Sequence, residues 1–149
     1  VSRRRNRKRN EPIMPALPES SDYPDAAVII YDGHCQFCSR QVRRLARIDG
    51  KNRLSFLCLH DPQIKTRFPA LSYEEMMDAM HLVEPSGKIY RGAAAFRVLT
   101  RRLPRLWPLM PIMHFPFSLP LWHAIYRYIA RRRYRMNCDD SSCEIHFRK

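Results

Sequence analysis

Ala27-Val28-Ile29-Ile30-Tyr31-Asp32-Gly33-His34-Cys35-Gln36-Phe37-Cys38 is the stretch that decides the fold of this chain. Its first five residues are apolar and largely β-branched, and an Asp-Gly turn signal bounds them, so they read as a buried strand. Over residues 39–48, Val42, Leu45, Ala46 and Ile48 alternate with Arg40, Arg43, Arg44 and Arg47. That is the pattern of an amphipathic helix, ended by Asp49-Gly50. Residues 54–59 make a second apolar strand, so the opening unit is β-α-β with parallel strands. The two cysteines stand where strand turns into helix. A helix N-terminus offers unpaired N–H groups and a partial positive charge, and both stabilise a thiolate.

The pattern continues downstream. Residues 61–69 read as a loop. Ser72 reads as an N-cap with Glu75 at the capping-box position, opening a short helix that runs to about Met77. His81-Leu82-Val83-Glu84 and Lys88-Ile89-Tyr90-Arg91 flank Pro85-Ser86-Gly87, a hairpin signal. Gly92 leads into Ala93-Ala94-Ala95 and an amphipathic helix that ends before Pro104. The predicted order is β-α-β-α-β-β-α. It gives an α/β fold with a four-stranded mixed sheet and helices on both sides, the thioredoxin-like arrangement in which CxxC opens the first helix. An apolar, proline-rich stretch over residues 106–119 precedes an extra C-terminal helix over about 121–133, with Trp122, Ile125, Tyr126 and Ile129 at helical spacing.

Composition narrows the class. A chain of 149 residues with 45% hydrophobic and 11% aromatic residues fits one globular domain. Its 27 Lys and Arg against 14 Asp and Glu give a net charge of +13, which favours acidic partners such as nucleic acid or an anionic membrane surface. The excess gathers at Arg3, Arg4, Arg5, Arg7, Lys8 and Arg9, and at Arg127, Arg131, Arg132, Arg133 and Arg135. Residues 1–25 read as a disordered basic tail and linker, 26–135 as the folded domain, and 136–149 as a tail holding Cys138, Cys143 and His146. Proline-rich residues 11–21 do not resemble a signal-peptide core, and no apolar run is long enough for a spanning helix. Five cysteines, an odd number, argue against a secreted disulfide framework. The expected location is therefore cytoplasmic, with any membrane contact peripheral.

With these residues in place, the chain resembles the DCC family of thiol–disulfide oxidoreductases. The signature, a strand followed by aromatic-Asp-Gly-x-Cys-x-x-Cys, is Tyr31 to Cys38 here. His81-Leu82-Val83, Gly87-Lys88-Ile89-Tyr90, Arg91-Gly92, Ala95-Phe96 and Tyr126-Arg127 also fit the family pattern, so the resemblance covers residues 27–133. It implies a thioredoxin-like fold and disulfide oxidoreductase activity; the partners expected are a thiol- or disulfide-bearing substrate and an external reductant, and no cofactor is expected.

Cys35 is the expected nucleophile, because it lies nearer the helix N-terminus and should be the less buried of the pair. Cys38 is the expected resolving thiol. Supporting roles fall to Asp32, as proton acceptor or turn former, to Gly33, where a side chain would block a close approach, and to His34, which either favours a thiolate when protonated or is a solvent-facing turn residue. Arg91 and Gly92 are expected near the pair, with the arginine available to a substrate anion. Cys58 reads as a buried small hydrophobe. Thioredoxins carry a proline before the third strand, where substrate docks; here Asp78-Ala79-Met80 stands there without one. Cys138 and Cys143 read as a second redox pair or as incidental thiols. With Cys35, Cys38 and His146 they also make an alternative zinc set. The competing function is a basic module that binds nucleic acid or a membrane surface, its cysteines structural or zinc-bound.

Overall fold

The computed structural model describes residues 24–136, and the basic N-terminal block, Cys138, Cys143 and His146 lie outside them. Four strands, β1 (Ala27–Tyr31), β2 (Leu54–Cys58), β3 (His81–Val83) and β4 (Ile89–Arg91), form a mixed sheet in the order β2-β1-β3-β4. β1 pairs parallel with β2, in the register Tyr31 to Cys58, and antiparallel with β3; β3 and β4 form the hairpin. Six helices accompany the sheet: α1 (Gln36–Ile48), α2 (Gln63–Arg67), α3 (Tyr73–Asp78), α4 (Ala93–Arg102), α5 (Met110–Met113) and α6 (Leu119–Met136), with a 3₁₀ segment over Pro104–Leu109. The fold is the expected thioredoxin-like α/β arrangement with an added C-terminal helix.

Strand alternation divides the core in two. Ala27, Ile29, Leu54, Phe56 and Leu82 point to one face, where Val42 and Leu45 of α1 and Ala95, Val98 and Leu99 of α4 cover them. Val28, Ile30, Leu57 and Val83 point to the other, where Ile64 of α2 and Met76 of α3 close over them. Both faces of β1 and of the edge strand β2 are buried, which is why the two read as continuous apolar runs.

Local signals account for most boundaries. Ser72 Oγ accepts the Glu75 N–H at 3.2 Å while a Glu75 carboxylate oxygen accepts the Ser72 N–H at 3.0 Å, a complete capping box. Two readings are corrected. α1 begins at Gln36, three residues before the apolar-arginine alternation, because Cys35 caps it. Residues 63–67, read as loop, form α2: the Asp61 carboxylate accepts the Gln63 N–H at 2.8 Å and Ile64 is buried. One turn is too short to show a period.

His81 on β3 is buried, 2% exposed, and its Nδ1 lies 2.9 Å from the Ala79 carbonyl. Burial holds this imidazole below its ordinary 6.5, and the Arg91 charge adds to the effect; the Ala79 carbonyl and Glu75 oppose it. The unfolded chain then takes up a proton near pH 6.5 that the folded chain refuses, so stability falls as pH drops below 6.5. Urea unfolding from pH 8 to 5 should show this loss, and His81→Asn, which keeps a donor at the Nδ1 position, should flatten it. The Glu75 carboxyl is lowered by its bonds to Ser72, so its contribution is lost only below 4.5, in a separate window.

Candidate active site

The parallel pairing of β1 with β2 brings both strand ends to one edge of the sheet, where ligands bind in open α/β folds. Asp32 opens the turn after β1. Its carboxylate Oδ1 accepts the His34 N–H at 3.0 Å and lies 3.1 Å from His60 Nε2. The Asp32 side chain is 1% exposed and that of His60 20%. The turn-forming role expected of Asp32 is therefore present, and it ties the turn to the segment after β2. The exposed His34 ring stands edge-on to the His60 ring at 4.2 Å, and Tyr73 meets the other side of His60 at 5.9 Å. Burial raises the Tyr73 phenol, with Asp32 and Cys58 adding to it, so the hydroxyl stays protonated near neutral pH.

Cys35 occupies the N-cap of α1 in extended backbone, and its Sγ accepts the Cys38 N–H at 3.3 Å. A sulfur thus takes the place usually filled by Ser or Asp oxygen, and an N–H of the helix terminus points at it. The first turn of α1 carries no acidic residue to oppose a negative sulfur. One expectation is reversed: Cys35 is the buried member, 4% exposed, whereas Cys38 is half-buried. The cap itself explains this, because accepting the Cys38 N–H folds the Cys35 side chain back against the helix.

Cys58 is also corrected. It is half-buried at the end of β2 rather than sealed in the core, and it packs on the turn at Gly33. A Cβ on Gly33 would lie 2.6 Å from Cys58 Sγ, so the expected close approach at Gly33 is made by this sulfur. Gly33→Ala should cost about 1–3 kcal/mol through that overlap. Adding Cys58→Ala should restore most of the loss, which thermal unfolding of the single and double variants measures.

A cleft of about 240 Å³ opens beside the pair, lined by Tyr31, Asp32, Phe37, Cys38, Met80 and Tyr126 among others. Burial raises the Tyr31 phenol, Cys58 adds to the effect and Arg43 opposes it. Tyr126 of α6 forms the far wall: its hydroxyl accepts the Met80 N–H at 2.8 Å. The Met80 carbonyl accepts the Gly92 N–H at 2.9 Å. The backbone before β3, where thioredoxins dock substrate, is thus occupied by the protein's own groups. Tyr126 consequently faces inward, and Trp122 Nε1 donates to the Ile112 carbonyl at 3.3 Å.

A Cβ on Gly92 would lie 3.1 Å from the Tyr126 ring, while Arg91 pairs with Asp78 at 3.2 Å and borders a second cleft. His60 was not legible as a site residue, although its place two positions beyond the strand paired with β1 puts it level with the turn. Among the described residues no cluster of three or more His, Cys, Asp or Glu side chains is placed to hold a metal, and the zinc set depends on residues outside them. No helix among the described residues is long and apolar enough to cross a membrane.

A family model for DCC1-like thiol-disulfide oxidoreductases matches residues 29–139, from β1 through the CxxC turn and both clefts to beyond α6. Comparisons with curated proteins and with solved structures gave no match. The match spans well over half of the chain and contains every element that builds the turn, so the chain belongs to the DCC1-like thiol-disulfide oxidoreductase family.

Proposed function

We propose that this protein exchanges disulfides with a thiol- or disulfide-bearing partner through Cys35 and Cys38. The observation that carries this reading is the Cys35 sulfur at the N-cap of α1, receiving the Cys38 N–H, one turn from a second thiol that lines a cleft. In the reducing direction, the Cys35 thiolate attacks one sulfur of a substrate disulfide. A mixed disulfide forms and the other substrate sulfur leaves as a thiolate that takes a proton. The Cys38 thiolate then attacks Cys35 Sγ and expels the second substrate sulfur. Two electrons pass to the substrate, and the Cys35–Cys38 disulfide remains until an external dithiol reduces it.

Asp32, buried and lining the same cleft as Cys38, is suited to receive the thiol proton of Cys38 as it attacks, and the partly exposed His60 links that carboxylate to water. The exposure of Cys38 to the cleft favours a second order of events, in which Cys38 attacks and Cys35 resolves. Turnover of a small aromatic disulfide with dithiothreitol as electron donor tests the function. It should fall to the rate of dithiothreitol alone in Cys35→Ser. A function that survives in Cys35→Ser but is lost on deletion of residues 1–10 would instead favour the basic binding module.

A further inference from the structure

We infer that the chain's own segment 137–149 is an internal partner of the redox site, docking over the two clefts and presenting Cys143 to Cys38. This rests on the reading of Cys35 and Cys38 as the reactive pair. The first cleft, with Cys38, and the second, bordered by Arg91, Arg127 and Arg131, share Tyr126 and Ala130 as a common wall. Arg127 and Arg131, four positions apart, lie on one side of α6. Of the acidic residues at this cleft there is Asp78 alone, and it pairs with Arg91. The ion pairs among the described residues include neither Arg127 nor Arg131. The second cleft therefore calls for an acidic occupant, and the backbone of Met80 is already bonded, so that occupant must be held by side chains.

The sequence supplies one. No Asp or Glu occurs between positions 85 and 138, and the next carboxylates, Asp139, Asp140 and Glu144, flank Cys138 and Cys143. Chain length decides which cysteine arrives. From Ala130 to Met136 the helix runs about 9 Å at its ordinary rise. Cys138, two residues past Met136, reaches back about 7 Å at most, whereas Cys143, seven residues past it, reaches about 23 Å. Cys143 has chain to spare for a return to the wall that Ala130 shares with Cys38, whereas Cys138 has less main chain than the last turns of the helix are long.

Exchange balances without another reagent. Starting from the Cys35–Cys38 disulfide, the Cys143 thiolate attacks Cys38 Sγ and Cys35 leaves as a thiolate. The Cys138 thiolate then attacks Cys143 Sγ, and Cys38 leaves as a thiolate. The two protons given up by Cys138 and Cys143 pass to Cys35 and Cys38, and two electrons move inward. An external dithiol then reduces the Cys138–Cys143 disulfide, so the tail carries electrons between reductant and site.

The full-length double variant Cys35→Ser/Cys138→Ser tests this, since it lacks both thiols that would resolve the bridge, and serine keeps an acceptor at the helix cap. After mild oxidation with diamide, alkylation and digestion, mass spectrometry should find a Cys38–Cys143 disulfide within one chain, at a rate independent of protein concentration. Adding Arg127→Gln/Arg131→Gln should slow its formation by about fivefold, as should high salt, while Arg44→Gln/Arg47→Gln on the solvent side of α1 should not. No bridge, a bridge only between two chains, or equal slowing by both arginine pairs overturns the inference. Dithiothreitol-driven turnover by the wild-type chain in the same experiment separates that failure from failure of the proposed activity.

Discussion

Cys38→Ser should stop the exchange at a covalent complex, whereas Cys35→Ser should form none and turn nothing over. The difference follows from position. Cys35 caps α1 and receives the Cys38 N–H at 3.3 Å, so its sulfur is the one placed for a helix terminus to stabilise as a thiolate. With serine at position 38, nothing at the next turn can expel the substrate, and the mixed disulfide on Cys35 should persist as a mass increase equal to half the substrate disulfide. With serine at position 35, the cap survives, because a hydroxyl oxygen accepts the same N–H, and loss of activity cannot be charged to unfolding. The burial of Cys35, 4% exposed, makes the experiment more than a formality. If the stable adduct appears on Cys38 in Cys35→Ser and not in the reciprocal variant, the cleft-facing thiol is the nucleophile and the roles are exchanged. Cys58→Ala in the same assay should turn over as the wild type does.

Gly92→Ala should be the most destabilising of the single substitutions considered, by about 1–3 kcal/mol from backbone strain plus the cost of a contact. Gly92 has φ +55° and ψ −122°, which L side chains rarely adopt, and a Cβ there would lie 3.1 Å from the Tyr126 ring. The ring cannot simply retreat, since its hydroxyl holds the Met80 N–H. Gly87→Ala provides the comparison: φ is +85°, but nothing lies within 4 Å of its Cβ. Urea unfolding of the two variants should therefore show a larger loss at position 92, with slower turnover accompanying it as the cleft wall moves. Equal losses would mean that the ring contact carries no energy and that backbone conformation alone selects glycine there.

Most of the architecture was legible because it is encoded in local or periodic signals. β1, β2 and the β3–β4 hairpin are short apolar runs with turn residues between them, and the Ser72–Glu75 capping box is a signal read within four residues. The misses have the opposite character. α2 is one turn held by burial of Ile64, and the start of α1 at Gln36 depends on a sulfur capping a helix. The reversed burial of the two cysteines follows from that cap and not from their order. Cys58 is indistinguishable from a core residue by pattern, yet it closes on Gly33 across the sheet. His60 carries no motif at all; only the parallel register of β1 and β2 sets it 3.1 Å from Asp32.

The sequence alone determined the α/β thioredoxin-like architecture, the family resemblance and the presence of a CxxC pair at a strand-to-helix turn, because each depends on hydrophobic period, turn chemistry or close spacing. Only the tertiary structure decided which thiol is buried, that Asp32 is shared between the turn and His60, and that Tyr126 seals the backbone before β3. Tyr126 and Met80 stand forty-six positions apart, and no local signal spans that distance. Their contact exists because α6 packs on α4, which gives the CxxC turn a walled cleft.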